Sequence, residues 1–236
     1  MIEILLMGFL LGMRHAMESD HVAAVASLVT KSPSMRESLR LGSLWGLGHT
    51  VTLFIFGSAV MLLDHVIPER MAMMLEFAVG IMLVVLGIDV VRRFMRERVH
   101  VHAHRHADGT LHFHAHAHAD DTNHDKLSHE HTHTERFPLR ALLVGIMHGM
   151  AGSAALIVLT LQTVQSFGMG LIYITLFGLG SIGGMAALSM AIMLPLRISS
   201  SRYARLHQYL QFSIGTAAII LGISLMFEIG NSGQML

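Results

Sequence analysis

Six apolar runs, near residues 2–29, 41–63, 71–91, 139–165, 168–196 and 207–228, decide what this chain can fold into. Each reaches the roughly 20 residues that an α-helix needs to cross the hydrocarbon core of a bilayer. Inside that core each backbone N–H and C=O must be satisfied within the segment, so the spanning unit is a helix. The last four runs are uninterrupted, whereas polar residues break the first one halfway along. Charge agrees: 14% of the residues are Asp, Glu, Lys or Arg, against roughly a quarter in soluble domains. The expected fold is an all-α membrane protein with six transmembrane helices. The N-terminus shows no basic stretch followed by a small-residue cleavage site, so the first run is expected to be retained as a span.

Polar connectors fall at 30–40, 64–70, 92–138 and 197–206, with a very short one near Gln165–Gly168. Basic residues concentrate on one side. Lys31, Arg36 and Arg40, eight groups in 92–140, and Arg197, Arg202 and Arg205 share that side, while the other shows only Arg70. This asymmetry predicts a plasma (inner) membrane protein with both termini outside and the first, third and fifth connectors in the cytoplasm.

The chain also repeats itself. Gly12–Met17 reads like Gly145–Met150, Leu44–His49 like Leu176–Ser181, and Leu75–Phe77 with Gly80 and Gly87 like Leu210–Phe212 with Gly215 and Gly222. The offsets are 133, 132 and 135, so three successive spans keep one alignment. A unit of three spans enters the membrane inverted the second time, the plan of many secondary transporters. The expected domains are a first three-helix repeat over 1–91, a His-rich cytoplasmic loop over 92–138, and a second three-helix repeat over 139–236.

Chemistry concentrates in Arg14-His15-Ala16-Met17-Glu18-Ser19-Asp20-His21, in the middle of the first run. Ionised groups are costly there, so such a cluster marks a functional site. Its pattern is HxxxxDH, and imidazole nitrogen with carboxylate oxygen suits nickel, cobalt or zinc better than magnesium or calcium. On an unbroken helix, Asp20 and His21 lie about 140° and 240° around from His15. Two arrangements remain open. Either the helix unwinds between Ala16 and Ser19, or it stays whole and His15, Glu18 and His21 form the metal face, with Asp20 orienting an imidazole. Arg14, four residues before Glu18, offers that carboxylate a different partner. A polar cluster that only cements packing rarely needs two His and two acids in hydrocarbon. His49 in the second run and His148 in the fourth, both beside glycines, are expected to aim at the same centre. His148 is the repeat partner of His15, while Gly152, Ser153 and Ala154 stand where the first copy has Ser19, Asp20 and His21. Asp89 is expected to snorkel to the cytoplasmic surface or to pair with Arg92 or Arg93, and not to be a ligand. The glycine pairs Gly8/Gly12, Gly42/Gly46 and Gly145/Gly149 are expected to serve packing.

The chain has no cysteine, which excludes thiolate sites. Its 19 methionines are scattered through apolar runs, and Met17 and Met150 are the two set aside as possible ligands. Formal net charge is zero, which argues against a nucleic-acid partner. Between His100 and His133 there are twelve histidines, many alternating. Such a segment buries no core and is expected to be disordered without metal, capturing divalent ions loosely and less well as the medium acidifies.

With those motifs in hand, the chain resembles the nickel/cobalt transporter (NiCoT) superfamily. Arg14-His15-Ala16 through Asp20-His21 is similar to that family's signature, and Gly48-His49-Thr50 to its second motif. The resemblance implies ligand or transport roles for His15, Asp20, His21 and His49. Six spans, and His148-Gly149-Met150-Ala151-Gly152-Ser153 in place of an Asp-containing second-half motif, make the chain more similar to the short urease-accessory membrane proteins of the superfamily. Its layout is also similar to nickel/cobalt exporters with a His-rich loop.

The function expected is secondary transport of Ni²⁺ or Co²⁺, with Zn²⁺ admitted by the same donors, through a desolvated His/carboxylate site. No nucleotide-binding loop is present. A divalent cation gains about 4.6 kcal/mol per 100 mV on moving inward, which puts uptake ahead of efflux. The alternatives are an efflux carrier and a membrane-tethered metal-delivery module for a nickel enzyme. An intramembrane hydrolase lacks HExxH and a nucleophile near the motif, so no enzyme and no prosthetic group are expected. Expected partners are the metal ion, membrane lipid, a cytoplasmic metallochaperone and a second copy of the chain.

Overall fold

A computed structural model describes residues 2–32, 34–63, 68–96, 100–105, 111–116, 139–151, 166–202 and 204–231. Its helices are α1 (Ile2–His15), α2 (Ser19–Val29), α3 (Met35–Leu63), α4 (Glu69–Arg96), α5 (Leu139–Ala151), α6 (Phe167–Arg202) and α7 (Ala204–Asn231). Four of them, α3, α4, α6 and α7, are long and apolar enough to cross a membrane. The first expected span is instead two helices, α1 and α2, and the fourth is described only as far as Ala151, so 152–165 lie outside the described residues.

The break after His15 follows from local chemistry. The N–H groups of Met17 and Glu18 turn back to the carbonyls of Arg14 and His15 at 2.9 and 3.0 Å, closing a tight last turn. Glu18 then takes an extended conformation, φ −64° and ψ 148°, and α2 restarts behind it. Asp20 in the first turn of α2 complements the positive end of that helix's dipole. At the other end of α2, Ser34 starts α3 through a hydroxyl that accepts from the Glu37 N–H, half of a capping box.

Glycines set the interhelical packing, because a Cβ at most of those described would strike a neighbouring backbone or side chain. At Gly12 it would fall 2.0 Å from the Phe177 carbonyl oxygen, and at Gly145 2.1 Å from that of Trp45. At Gly46 it would meet Ile182, and at Gly178 it would meet Thr50. Gly80 and Gly222 abut each other, as do Gly87 and Gly215. These contacts fix direction: α1 runs parallel to α6 and α5 to α3, while α3 packs antiparallel to α6 and α4 to α7. The core lies between these pairs, with Trp45, Leu41, Leu83 and Met185 fully buried, while Leu6, Met7, Ile55, Val85 and Ile220 face outward as lipid-facing side chains do.

Of the His-rich connector, two stretches are described, His100–Arg105 (β1) and Leu111–His116 (β2). They pair antiparallel in a register that sets His100 opposite His116, His102 opposite His114 and His104 opposite His112. Disorder was the expectation for the whole connector. The alternation that makes it histidine-rich also has the period of a strand, and the two halves match in register. Residues 117–138 lie outside the described residues.

Candidate metal centre

Because the chain breaks between α1 and α2, His15 at the end of α1 and His21 in the first turn of α2 point into one volume instead of lying on different faces of a helix. Their rings stand 4.4 Å apart between centroids. His49 enters from α3, 5.2 Å from each, and His148 from α5, 4.1 Å from His21 and 6.0 Å from His49. The unbroken His15–Glu18–His21 face is therefore not what forms. His21, His49 and His148 are almost completely buried.

The two carboxylates hold imidazoles by their edges. Glu18 accepts from His15 Nδ1 at 2.9 Å and is otherwise 56% exposed, so it goes to His15 and not to Arg14. Asp20 accepts from the His21 N–H at 2.9 Å, from His21 Nδ1 at 3.1 Å and, with its other oxygen, from His148 Nε2 at 2.9 Å. A neutral imidazole that donates with one nitrogen keeps a lone pair on the other. Glu18 and Asp20 thus leave lone pairs on His15 Nε2, His21 Nε2 and His148 Nδ1. His21 Nε2, His148 Nδ1 and His49 Nδ1 are buried without a hydrogen-bond partner among the described residues, which is costly unless something else engages them.

The spacing suits a small cation. His15 Nε2 and His49 Nε2 are 3.2 Å apart. Bonds of about 2.0–2.1 Å to a tetrahedral ion set neighbouring ligand atoms about 3.3 Å apart. Candidate ligand atoms of His15, His21 and His49 all lie within 4.8 Å of one another, and so do those of Asp20, His21 and His148. His21 belongs to both sets. Met17 is exposed.

Two features escaped the sequence reading. Trp45 packs its indole 5.4 Å from His21 and 5.6 Å from His148, and Phe177 packs 5.3 Å from His15. The alignment of Trp45 with Phe177 in the repeat was the signal available. Asp89 does not use Arg92 or Arg93; it accepts from Lys31, on the connector after α2, and from Arg140 of α5 at 3.1 Å. Arg93 donates to Thr30 Oγ1 instead. Burial pushes the Lys31 ammonium down from the usual lysine range, against the pull of Asp89. This cluster ties together the ends of α2, α4 and α5.

Three relatives share most of the chain. UreH, a urease accessory protein of Bacillus sp. (strain TB-90), is 36% identical over 232 residues, 98% of this chain and 93% of its own length. The "Putative nickel/cobalt efflux system MJ1092" of Methanocaldococcus jannaschii is 23% identical over 191 residues, 78% of this chain and 73% of that protein. The "Chloroplast protein FOR GROWTH AND FERTILITY 1" of Arabidopsis thaliana is 25% identical over 231 residues, 94% of this chain but 58% of its own length. No family model and no solved structure matches. The chain belongs to the urease accessory protein UreH family, the short membrane type of the nickel/cobalt transporter superfamily. It is a membrane protein of an accessory and transport family, not of an enzyme family.

Proposed function

We propose that this protein is a secondary carrier that moves Ni²⁺ or Co²⁺ through the four-histidine centre, with uptake ahead of efflux. One observation carries the reading: the break at Ala16–Glu18 brings ring nitrogens of His15, His21 and His49 within 4.8 Å of one another, deep between apolar helices. In this reading His15 Nε2, His21 Nε2 and His49 hold the ion, and His148 supplies a further nitrogen on the far side of His21. Asp20 and Glu18 orient the rings and balance the charge of the cation. Imidazole nitrogen favours nickel and cobalt, with zinc admitted, over harder ions. The relatives' names add support, one being a urease accessory protein and another a nickel/cobalt efflux system.

The architecture proposed with it is six spans in two inverted repeats. Glycine contacts support this by their reciprocity. Gly12 abuts Phe177 while Gly145 abuts Trp45, and the repeat exchanges both members of each pair. Gly80 with Gly222 exchanges in the same way with Gly87 and Gly215. Equivalent helices that pack antiparallel, as α3 with α6 and α4 with α7, require a two-fold axis across the helices, in the membrane plane. The basic connectors then face the cytoplasm with both termini outside, and residues 92–138 gather ions there for a cytoplasmic metallochaperone. A second copy of the chain is a further partner in this reading.

Flux of Ni²⁺, Co²⁺ and Zn²⁺ into proteoliposomes tests it, using the intact protein, His15→Ala and His21→Ala. Loss of flux in both variants is the expected result. Unchanged flux in both would remove the transport site.

A further inference from the structure

The histidine centre is walled on two sides by apolar layers that the internal repeat makes equivalent. Leu53 and Phe177 are buried together with Leu11 packed against them, apart from the main core. Adding the repeat offsets of 133 for α1 and 132 for α3 converts Leu11 to Val144 and Leu53 to Met185, and the same 132 relates Phe177 to Trp45. Val144, Met185 and Trp45 are all buried in the main core. The ring contacts obey the same exchange: Phe177 packs on His15, and Trp45 packs on His148, the repeat partner of His15.

These layers lie at different depths. Gly46 abuts Ile182 and Gly178 abuts Thr50, which sets Phe177 level with Val51 of α3. Phe177 is then six residues, or about 9 Å, along the helix axis from Trp45, with His49 between them. Side chains tilt toward the N-terminus of their own helix. Because α3 and α6 are antiparallel, the indole and the phenyl lean to opposite ends of the bundle. The Trp45 layer lies toward the end where α3 begins, the end that also carries Lys31, Asp89 and Arg140. Trp45 Nε1 has no hydrogen-bond partner among the described residues, so no polar bond pins the indole.

We infer that Leu11–Leu53–Phe177 and Val144–Met185–Trp45 are the two gates of the centre, one toward each membrane face, and that both are shut in this structure. An apolar constriction excludes a hydrated ion by refusing its water. An ion reaches the histidines only when one layer parts. A repeat that exchanges the layers gives the two openings similar cost, as alternating access requires. The inference rests on the transport reading of the centre, and its test measures access, not flux.

The chain has no native cysteine, so one reporter is enough. His49→Cys, or Ser181→Cys at its repeat partner, places a thiol between the two layers. Labelling by a membrane-impermeant methanethiosulfonate reagent is followed in right-side-out and inverted vesicles. The reporter alone should label slowly from both faces. Adding Trp45→Ala should speed labelling by about tenfold or more, since rate follows the open fraction, from the face that carries Lys31 and Arg140 only. Adding Phe177→Ala should do the same from the opposite face only. Val144→Ala and Leu11→Ala repeat the two openings with smaller cuts if the aromatic deletions do not fold. Trp45→Phe, which installs the ring used by the other half, should stay shut. Opening of the same face by both deletions, or unchanged labelling in all four, overturns the gates. Labelling as expected, in a protein that moves no Ni²⁺, would keep the gates and remove the carrier.

Discussion

Asp20→Asn isolates the role of one carboxylate. Asp20 receives three hydrogen bonds, from the His21 N–H at 2.9 Å, from His21 Nδ1 at 3.1 Å and from His148 Nε2 at 2.9 Å, and it spreads them over both oxygens. An asparagine has the same shape but only one acceptor oxygen. Whichever way the amide is turned, its NH₂ faces a ring N–H. If the oxygen stays with His21, His148 loses its acceptor and is free to turn or to change tautomer. If it stays with His148, His21 does. A hydrogen bond to a charged group contributes about 1.5–3 kcal/mol, and losing a partner that orients a metal-binding imidazole lowers affinity about 10–100-fold. The expected result is thus a one- to two-decade rise in the Kd for Ni²⁺ with little change in fold. Titration calorimetry of the detergent-solubilised protein reads the affinity, and far-ultraviolet circular dichroism the helix content. Asp20→Ala should weaken binding further, because it leaves both rings without an acceptor. A Kd within twofold of the native value in Asp20→Asn would refute the claim that this carboxylate sets the tautomers of the centre.

Gly12→Ala and Gly145→Ala should destabilise to similar extents, about 1–3 kcal/mol each for overpacking, because their Cβ atoms meet repeat-related carbonyls at 2.0 and 2.1 Å. Gly183→Ala, with nothing within 4 Å of its Cβ, is the control and should match the native protein in thermal unfolding. Asp89→Asn should lower the melting temperature, since Lys31 and Arg140 both lose their charged acceptor. It should also drive the Lys31 pKa lower still, because burial already depresses it and Asp89 opposes that. The depressed pKa means that the unfolded chain holds this proton more tightly. Lys31 therefore contributes a stability that rises with pH between its folded pKa and the ordinary lysine value, a window that should widen in Asp89→Asn and show in melting curves across alkaline pH. Deleting residues 100–133 should leave flux at saturating Ni²⁺ intact and reduce uptake at low Ni²⁺; loss of flux at saturation would assign transport itself to the connector.

The four long helices sit where hydropathy alone set them, because lipid allows few structures and length selects among those. Their ends were less legible: α3 begins at Met35, six residues before its apolar run, because Ser34 supplies a cap outside the membrane pattern. The metal motif was visible as residue types, yet its shape was not. A 3.6-residue period accommodates both an intact His-Glu-His face and a broken helix, and the choice depends on His49 and His148 arriving from α3 and α5. Asp89 shows the same limit. Arg92 and Arg93 are its neighbours in sequence, whereas Lys31 is 58 residues away and is brought to it by the packing of α2 on α4.

Scaffold and ligands follow different symmetries, and the chemistry of a single ion explains why. The glycine pairs Gly12/Gly145, Gly46/Gly178, Gly48/Gly180, Gly80/Gly215 and Gly87/Gly222, the aromatic pair Trp45 and Phe177, and the pair His15 and His148 keep their repeat partners. Asp20, His21 and His49 do not; Ser153, Ala154 and Ser181 stand in their places. A complete second copy, with carboxylates also in place of Ala151 and Ser153, would put four carboxylates and six imidazoles around one axis. Like charges in so small a volume are mutually costly, and the surplus donors would have no ion to engage. One half keeping the donors while both halves keep the walls leaves one centre between two equivalent barriers. Restoring the second set should therefore weaken the centre. Ser181→His, which adds a fifth imidazole opposite His49, is expected to slow Ni²⁺ flux by crowding and not to create a second pathway. Faster flux with unchanged affinity in that variant would show that the asymmetry has no functional cause.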